Sequence, residues 1–261
     1  MKLIDAMGVE HTTLAADAQP RIVSLVPSVT ELLCDLGLAE RIVGRTGFCI
    51  HPANTVRAIA KVGGTKDVNI EKIRKLAPTH LVVNIDENEK PTVDALAAFI
   101  PNVIVTHPLA PRDNLDLYRL LGGVFGAEEA AERLCAAFEL EYAALAALPR
   151  QPQRRVLYCI WQDPWMTVSR DTYIARMLAL AGMAQWAAPD NVSRYPVFTW
   201  SDALAGEIDE VLLSSEPYRF TEAHVDAIER QTGKPARLVD GEMMSWYGSR
   251  AIAGLRYLRE L

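Results

Sequence analysis

The sequence predicts an α/β protein built from two similar lobes joined by one long helix. Three observations support this fold class. Short apolar runs alternate with helical segments along most of the 261 residues. The same order of elements recurs after about 130–135 residues, as expected for two related lobes. A long segment rich in Ala, Glu and Leu separates the two halves.

The first half reads as repeated strand-then-helix units. The run RIVSLV at 21–26 predicts a buried strand, and Ser28 is the predicted N-cap of the helix after it. Glu31 would complete a capping box with Ser28, and Gly37 would end the helix. Further strands are predicted at 41–44, 81–85 and 102–106, and helices at 69–77 and 92–99.

The second half repeats this order of elements. Strands are predicted at 155–160 and 237–240, and a helix-then-strand unit within 198–215. Helices are predicted at 172–181, where Gly182 ends the helix, and at 249–261. These elements form the second α/β lobe.

The two halves are joined by a segment that favours helix strongly. Residues 113–150 are predicted to be helical on both sides of a break at Gly122, Gly123 and Gly126. The second piece, 127–148, is uninterrupted and would span about 30 Å as one rigid rod. The predicted domains are therefore 1–112, the connecting helix 113–150, and 151–261.

Composition excludes some classes of function. A formal charge of −6 and a pI near 5.5 argue against nucleic-acid binding. No apolar stretch approaches the roughly 20 residues that span a bilayer. The first residues lack a basic region followed by an apolar run, so the chain as written predicts no secretory signal. Cys34, Cys135 and Cys159 fall in apolar stretches and predict free thiols.

Three segments together resemble a known family. RIVSLVPSVTELLCDLGL, VGRTGFCIHP and KVGGTKDVNIEKIRKLAPTHLVV are similar to the cobalamin-binding, helical-backbone class of ABC-transporter substrate-binding proteins. The resemblance runs from Arg21 to the C-terminus. It implies a cleft between the lobes that holds a corrinoid or another large metal chelate, with no catalysis, no resident cofactor and no protein metal site. Related proteins bind ferric siderophores, haem or metal ions.

The resemblance also implies partners and a compartment. An ABC permease would receive the ligand, a monomer is expected, and the family is periplasmic, with the cytoplasm as the alternative where no signal is seen. Acidic residues on each lobe dock such proteins onto arginines of the permease. Glu71 matches the position on the first lobe, and Asp202 is the nearest acidic residue to the position on the second.

The loops after the strands are the predicted ligand contacts, because parallel α/β sheets bind ligands at the carboxyl ends of their strands. Aromatic residues gather there, which suits stacking on a large flat ligand. These aromatic residues are Phe48, Trp161, Trp165, Tyr195, Trp246 and Tyr247. The full set of predicted ligand contacts is Ser28, Phe48, His51, Gly64, Trp161, Tyr195, Glu216, Trp246, Tyr247 and Arg250.

Cys49-x-His51 admits three interpretations. A closed zinc site is disfavoured because no second Cys/His pair lies at zinc spacing. A thiol nucleophile would need a base and an orienting group, and none is evident. The pair could instead form part of the pocket wall, with Cys49 packed inside. His51 would then either approach the metal of a ligand or hydrogen-bond a backbone carbonyl.

Other polar motifs leave alternatives open. VGGTK at 62–66 lacks the order of a phosphate-binding loop, so its glycines predict close backbone approach. The acidic run at 84–90 is either a solvated loop or a site for a cation or ligand amides. Arg250 would meet an anionic group of the ligand, or pair with Glu216 or Glu242.

A different class of function is the rival hypothesis. A cytoplasmic tetrapyrrole- or metal-handling enzyme or chaperone on the same scaffold, such as a chelatase, would need titratable groups that converge on one point. His51 with Glu87 or Glu216 is the set that this rival predicts. A binding protein predicts aromatic contacts instead, with acidic residues on the outer surfaces.

Overall fold

A computed structural model describes residues 2–149, 152–188 and 193–261. The chain divides into two compact units, and both are α/β. The first unit comprises 1–108, 112–137 and 247–250, and the second comprises 109–111, 138–246 and 251–261. The two-lobed α/β prediction is therefore confirmed at the level of fold class.

The first unit holds a small antiparallel hairpin and a five-stranded parallel sheet. The hairpin strands are β1 (Leu3–Ile4) and β2 (Glu10–His11). The sheet strands are β3 (Ile22–Ser24), β4 (Ile42–Arg45), β5 (Ala60–Lys61), β6 (His80–Asn84) and β7 (Asn102–Thr106). Its helices are α1 (Pro27–Asp35), α2 (Ala53–Val56), α3 (Ile70–Lys75), α4 (Lys90–Ala97) and α5 (Asp113–Phe125), and α6 (Glu128–Ala146) begins in this unit.

The second unit is built in the same way. Its strands are β8 (Arg154–Trp161), β9 (Met166–Thr167), β10 (Met183–Gln185), β11 (Glu210–Ser214) and β12 (Ala236–Val239). Its helices are α7 (Tyr173–Leu180), α8 (Asp202–Glu207), α9 (Glu222–Thr232) and α10 (Gly241–Ser245), and α11 (Arg250–Glu260) runs into this unit.

The two sheets share one strand order. The first runs β5-β4-β3-β6-β7, and the second runs β10-β8-β11-β12, with β9 added antiparallel to β8. If β5 and β9 are left out, each sheet has four strands in the same order. The earliest of them in the chain, β3 or β8, takes the second position in its sheet, and the next one in the chain, β4 or β10, lies beside it at the edge. The chain reverses its winding direction between β3 and β6, the position at which open parallel sheets place their ligands.

Continuous apolar runs explain why these strands form buried sheet centres. All five residues of β6 are buried, and so are five consecutive residues of β8. Strands covered on both faces need such runs because helices pack on either side. Val23, Leu81 and Val83 form the core of the first unit with helix residues Ile73 and Leu96.

The connecting segment differs from the prediction in one respect. Helix α5 continues through Gly122 and Gly123, and only Gly126 ends it, in the left-handed conformation. Gly122 and Gly123 serve close packing, because a Cβ there would lie 2.5 Å from Ala131 or 2.4 Å from Leu3. The boundary between the units falls inside α6, after Ala137. The rigid joint and the three domain boundaries remain predictions.

Helix caps also differ from the sequence prediction. The predicted capping box of Ser28 and Glu31 is wrong, because α1 begins at Pro27 and has Val26 as its N-cap. Proline suits the first helical position, since its fixed φ and missing N–H cost nothing there. Gly37 and Gly182 do follow their helices, both with positive φ.

The hairpin is attached to the first unit by a buried carboxylate. The carboxylate of Asp5 accepts hydrogen bonds from the amides of Met7 and Val9 in the hairpin and from that of Val105 in β7. His11 Nε2 lies 3.2 Å from Asp5 Oδ2. Asp5 thus connects the hairpin to the edge strand of the sheet, together with the hydrogen bond from the Ala6 amide to the Val105 carbonyl.

His80 is a buried histidine at the start of β6. Its side chain lies edge-on to Phe125, and its Nδ1 is 2.8 Å from Thr79 Oγ1. Burial lowers the pKa of His80 to about 4, with a smaller contribution from the nearby His11. The neutral imidazole is therefore the form that this fold accommodates.

Candidate functional site

Exposed apolar side chains mark the carboxyl ends of the strands in the first unit. Phe48 and Ile50 follow β4 and are 62% and 49% exposed, and Ile85 directly follows β6 with 45% exposed. Large apolar side chains rarely remain this exposed in a group without a partner to cover them. We call Phe48, Ile50 and Ile85 the first strand-end surface.

Backbone hydrogen bonds hold Gly63 and Gly64 in place beside Phe48. The amide of Gly47 donates to the carbonyl of Gly63, and that of Gly64 donates to Asp67 O. Gly63 has a φ of +119°, and a Cβ there would lie 2.3 Å from Asp67 O. A Cβ on Gly64 would lie 3.4 Å from Phe48 Cε2, which is close to van der Waals contact and places this glycine directly beside the ring. The sequence predicted close backbone approach at the glycines of 62–66, and Gly63 confirms this.

Cys49 is packed inside the first unit, as the third interpretation of Cys49-x-His51 predicted. Its side chain is fully buried, with Thr30 Oγ1 3.1 Å and Thr46 Oγ1 3.2 Å from its Sγ. Burial raises the pKa of the thiol, which disfavours the nucleophilic thiolate. His51 is half-buried beside it and precedes a cis proline, and its role as a ligand contact remains a prediction.

Two carboxylates follow β6 and are both engaged within the first unit. Asp86 Oδ2 lies 3.4 Å from His107 Nε2, and the Tyr247 hydroxyl donates a hydrogen bond to Glu87. Sequence reasoning missed His107, although its position directly after β7 was a usable signal. Tyr247 is buried in this arrangement, so little of its ring surface is open for stacking.

Residues 247–250 are held against the first unit by several polar contacts. The amide of Gly248 donates to Asn114 Oδ1 at 2.6 Å, and the Tyr118 hydroxyl donates to the carbonyl of Gly248 at 2.8 Å. Arg250 forms a two-pronged ion pair with Glu31, at 2.6 and 2.8 Å. The sequence did not predict Glu31 as the partner of Arg250. Ser28 is also buried, and its carbonyl oxygen lies against Gly248.

A second group of exposed apolar residues lies in the second unit. Trp161 ends β8 and is 39% exposed, and its ring meets Tyr218 edge-on at 5.5 Å. Tyr195 and Val197 are 36% and 54% exposed, and Val197 bridges to Met166 of β9. We call Trp161, Tyr195 and Val197 the second strand-end surface. Among the described residues, the two surfaces contribute six of the eleven exposed large apolar side chains.

Trp165 belongs to an internal aromatic cluster of the second unit. Its ring stacks on Phe220 and meets Trp200 edge-on, while Phe198 also packs against it. These contacts make Trp165 part of the structural core, and its exposed neighbour Trp161 is the better candidate for stacking.

Glu216 and Trp246 bind to each other inside the second unit. Glu216 Oε1 accepts hydrogen bonds from the Trp246 indole and the Ser245 hydroxyl, both at 2.8 Å. Burial raises the pKa of Glu216, and the nearby Glu242 adds to this effect. Trp246 is therefore buried and hydrogen-bonded. Its partner Glu216 was one of the two carboxylates predicted to pair with Arg250, but Arg250 pairs with Glu31 instead.

The two residues predicted to dock a permease lie on helices of equivalent position in the two units. Glu71 is exposed in the first turn of α3, where it lies 3.6 Å from Arg74. Asp202 is exposed in the first turn of α8, which is capped by Ser201. Each helix leads into the strand next to the first strand of its unit, β6 or β11.

Carboxylates outnumber cations in the loops that follow the parallel strands. The loops 46–52, 62–69, 85–89, 107–112, 162–165, 193–196, 215–220 and 240–246 hold eight acidic residues and four basic ones. The acidic residues are Asp67, Asp86, Glu87, Glu89, Asp163, Glu216, Asp240 and Glu242, and the basic ones are Lys66, Arg112, Arg194 and Arg219. The strand-end loops therefore favour neutral or cationic groups over anions.

Neither a metal-binding cluster nor a membrane-spanning helix occurs among the described residues. No group of three His, Cys, Asp or Glu side chains could hold a metal ion within 2–149, 152–188 and 193–261. Across the same residues, no helix has the length and apolar character to cross a membrane. All four cysteines are free thiols, and Cys159 is fully buried in β8.

Comparison with known proteins agrees with this architecture. An uncharacterized ABC transporter substrate-binding lipoprotein of Bacillus subtilis, YvrC, is 26% identical over 98% of this chain and 84% of its own length. A vitamin B12-binding protein of Yersinia pestis is 31% identical over 33% of this chain and 30% of its own length.

Solved structures share the fold over nearly the whole chain. The periplasmic vitamin B12-binding protein BtuF of Vibrio cholerae matches with a TM-score of 0.75 and 17% identity, covering 92% of this chain and 97% of its own. The haem-binding protein RhuT of Roseiflexus matches with a TM-score of 0.76 and 22% identity, covering 93% and 99%. The family model of periplasmic binding proteins matches residues 22–233. The chain belongs to the periplasmic binding protein family.

Proposed function

We propose that this protein is the substrate-binding component of an ABC importer and that its ligand is a corrinoid. Membership of the binding-protein family supports the first part, as does likeness over most of its length to a substrate-binding lipoprotein. The ligand has to be argued from the site, because relatives are named for both vitamin B12 and haem.

The observation that carries the choice of ligand is the pairing of exposed apolar rings with carboxylate-rich loops. Phe48 and Trp161 offer stacking faces for a large planar macrocycle. The strand-end loops of the two units together hold eight carboxylates against four cations. A haem brings two propionates and a ferric tris-catecholate is a trianion, so both would meet like charge.

A corrinoid suits these loops better. Its rim carries primary carboxamides, which donate hydrogen bonds to carboxylates and carbonyls without adding negative charge. Its macrocycle still offers apolar area for the exposed rings. A neutral ferric hydroxamate satisfies the charge argument as well, but it lacks a planar macrocycle for stacking.

Calorimetric titration of the purified chain tests the choice of ligand. Cyanocobalamin, dicyanocobinamide, haemin, a ferric hydroxamate and a ferric catecholate should be compared at one ionic strength, because charge effects depend on salt. We expect a corrinoid to bind at least tenfold more tightly than haemin or the catecholate. Tighter binding of either anion, or no corrinoid binding, would contradict the proposal.

The same titration separates a binding protein from the enzymatic rival. A binding protein returns its ligand chemically unchanged, so the absorption spectrum of the released ligand should match that of the ligand added. Removal or insertion of the metal during incubation would support a chelatase-like function instead.

Permease docking through Glu71 and Asp202 is part of the same proposal. Both carboxylates are exposed in the first turn of a short helix, where the helix dipole also favours an acidic residue. We expect the charge reversal Glu71→Arg to lower ligand-dependent stimulation of the partner ATPase at least tenfold, while ligand affinity stays unchanged.

Asp94 offers a matched control for that experiment. It is also an exposed helical carboxylate of the first unit, paired with Lys90 on α4. Asp94→Arg should leave stimulation intact. An equal loss in both variants would show that net charge alone matters and would remove Glu71 as a docking residue.

A further inference from the structure

Two buried hydroxyl groups in the first unit have no hydrogen-bond partner. Ser28 is 4% exposed and Ser249 is 9% exposed, and neither Oγ has a partner in the part of the chain that the structure describes. Buried polar atoms are almost always hydrogen-bonded, so each unpaired hydroxyl requires an explanation. Both belong to the first unit, and Gly248, the residue before Ser249, packs against Ser28, so one ligand could satisfy both hydroxyls.

The two hydroxyls lie in neighbouring segments at the starts of helices. Ser28 is in the first turn of α1, and Ser249 directly precedes α11. The backbone of Gly248 packs on that first turn, since a Cβ there would lie 3.1 Å from the carbonyl oxygen of Ser28. The contacts of Gly248 with Asn114 and Tyr118 hold this segment in place.

The start of α1 has uncompensated positive character. No side chain caps this helix, and its first turn carries no acidic residue. Helix geometry leaves the amides of Ser28 and Val29 without an intrahelical acceptor, and the helix dipole adds partial positive charge. Helix starts of this kind attract anions.

The carboxylate of Glu31 does not cancel this preference. Glu31 lies one turn further along α1, and its two oxygens are both engaged by Arg250. The ion pair is neutral overall and mostly buried, with 14% of each side chain exposed. Glu31 therefore adds no net negative charge at the start of α1.

We propose that Ser28, Ser249 and the first-turn amides of α1 bind one small inorganic anion of the size of chloride. Because both hydroxyls are almost fully buried, their shared partner has to be small, which excludes the carboxylate of a large ligand. A bound chloride would satisfy both hydroxyls and compensate the start of α1. The site lies within the first unit and includes Ser28, which is also a predicted ligand contact, so it is tested on the ligand-free protein.

Thermal unfolding in two salts tests the site with the full chain. Melting should be compared in sodium chloride and in sodium gluconate at about 0.15 M, so that general screening is equal. An anion that binds only the folded state should raise the melting temperature in chloride by about 2–4 °C. Ser28→Ala and Ser249→Ala should each abolish the difference between the two salts.

Ser201→Ala provides the matched control. The hydroxyl of Ser201 accepts a hydrogen bond from the amide of Leu204 at the start of α8. Removing this hydroxyl should therefore lower stability equally in both salts. Diffraction from crystals soaked in bromide should show an anomalous peak beside Ser28 and Ser249. Equal melting in both salts with no such peak would show that a water molecule fills the site, and the anion proposal would be wrong.

Discussion

Replacing either Phe48 or Trp161 with alanine should weaken corrinoid binding by ten- to a hundredfold. Covering each exposed ring on binding contributes about 1.5–3 kcal/mol through apolar area alone, which is ten- to a hundredfold in Kd. Phe48 is 62% exposed and Trp161 39% exposed in the ligand-free protein, so both have ring surface left to cover. Titration calorimetry of each variant measures the loss directly.

The two variants lie in different units, which makes the experiment more informative. The resemblance predicts that one ligand contacts both lobes, so both substitutions should weaken binding of the same compound. Loss of affinity in only one variant would restrict the ligand to one strand-end surface. Unchanged affinity in both would remove stacking as the basis of recognition.

Leu140→Ala is the matched control for these variants. Leu140 lies on α6, outside the strand-end loops, and is 69% exposed, so it tests whether loss of any exposed apolar side chain matters. It should leave the affinity unchanged. Melting temperatures should be measured for all three variants to show that the fold is intact.

Acidification should destabilise the first unit through His80, by up to about 3 kcal/mol between pH 6.5 and pH 4. Burial lowers the pKa of His80 to about 4 in the fold, whereas an unfolded histidine titrates near pH 6.5. Above pH 6.5 both states are neutral and the full stability is present. Below it the unfolded state gains a proton first, so stability is lost as the pH falls towards 4.

Hydrogen exchange measures this effect where it occurs. All five tryptophans lie in the second unit, so their fluorescence does not report on β6. Exchange of the amides of Leu81–Val83 should be compared between the wild type and His80→Leu at pH 7 and pH 4.5. Comparing the two proteins at the same pH cancels the intrinsic dependence of exchange on pH.

The expected result is a change in the difference between the two proteins. The wild type should lose protection on acidification more steeply than His80→Leu, even if the variant is less stable at pH 7. The same loss in both proteins would show that other groups, such as the Asp5–His11 pair, dominate acid unfolding. His80 would then have no special role in the pH dependence.

Much of the fold could be predicted from local sequence, because its signals are carried by neighbouring residues. Apolar runs identified β3, β6, β7, β8 and β11, and glycines marked the ends of α1 and α7. The N-cap of α1 was misplaced by two residues, because Ser28 was predicted and Val26 is observed. Serine and proline are both strong start signals, and the backbone before Ser28 resolved the choice in favour of proline.

The exposed part of the candidate site was also predictable, since Phe48, Trp161 and Tyr195 follow strands and remain at the surface. The engaged polar residues were not. Glu31 and Arg250 are 219 residues apart, and Glu87 and Tyr247 are 160 apart. No periodicity or local motif links residues at such separations.

The sequence by itself determined the fold class, the repeated order of strands and helices, and the aromatic loops at the strand ends. Only the tertiary structure decided which of those side chains stay exposed and which are used internally. Trp161 remains exposed, whereas Trp246 donates its indole N–H to Glu216. The physical reason is that secondary structure follows from the preferences of neighbouring residues, while burial and pairing depend on which distant segments the folded chain brings together.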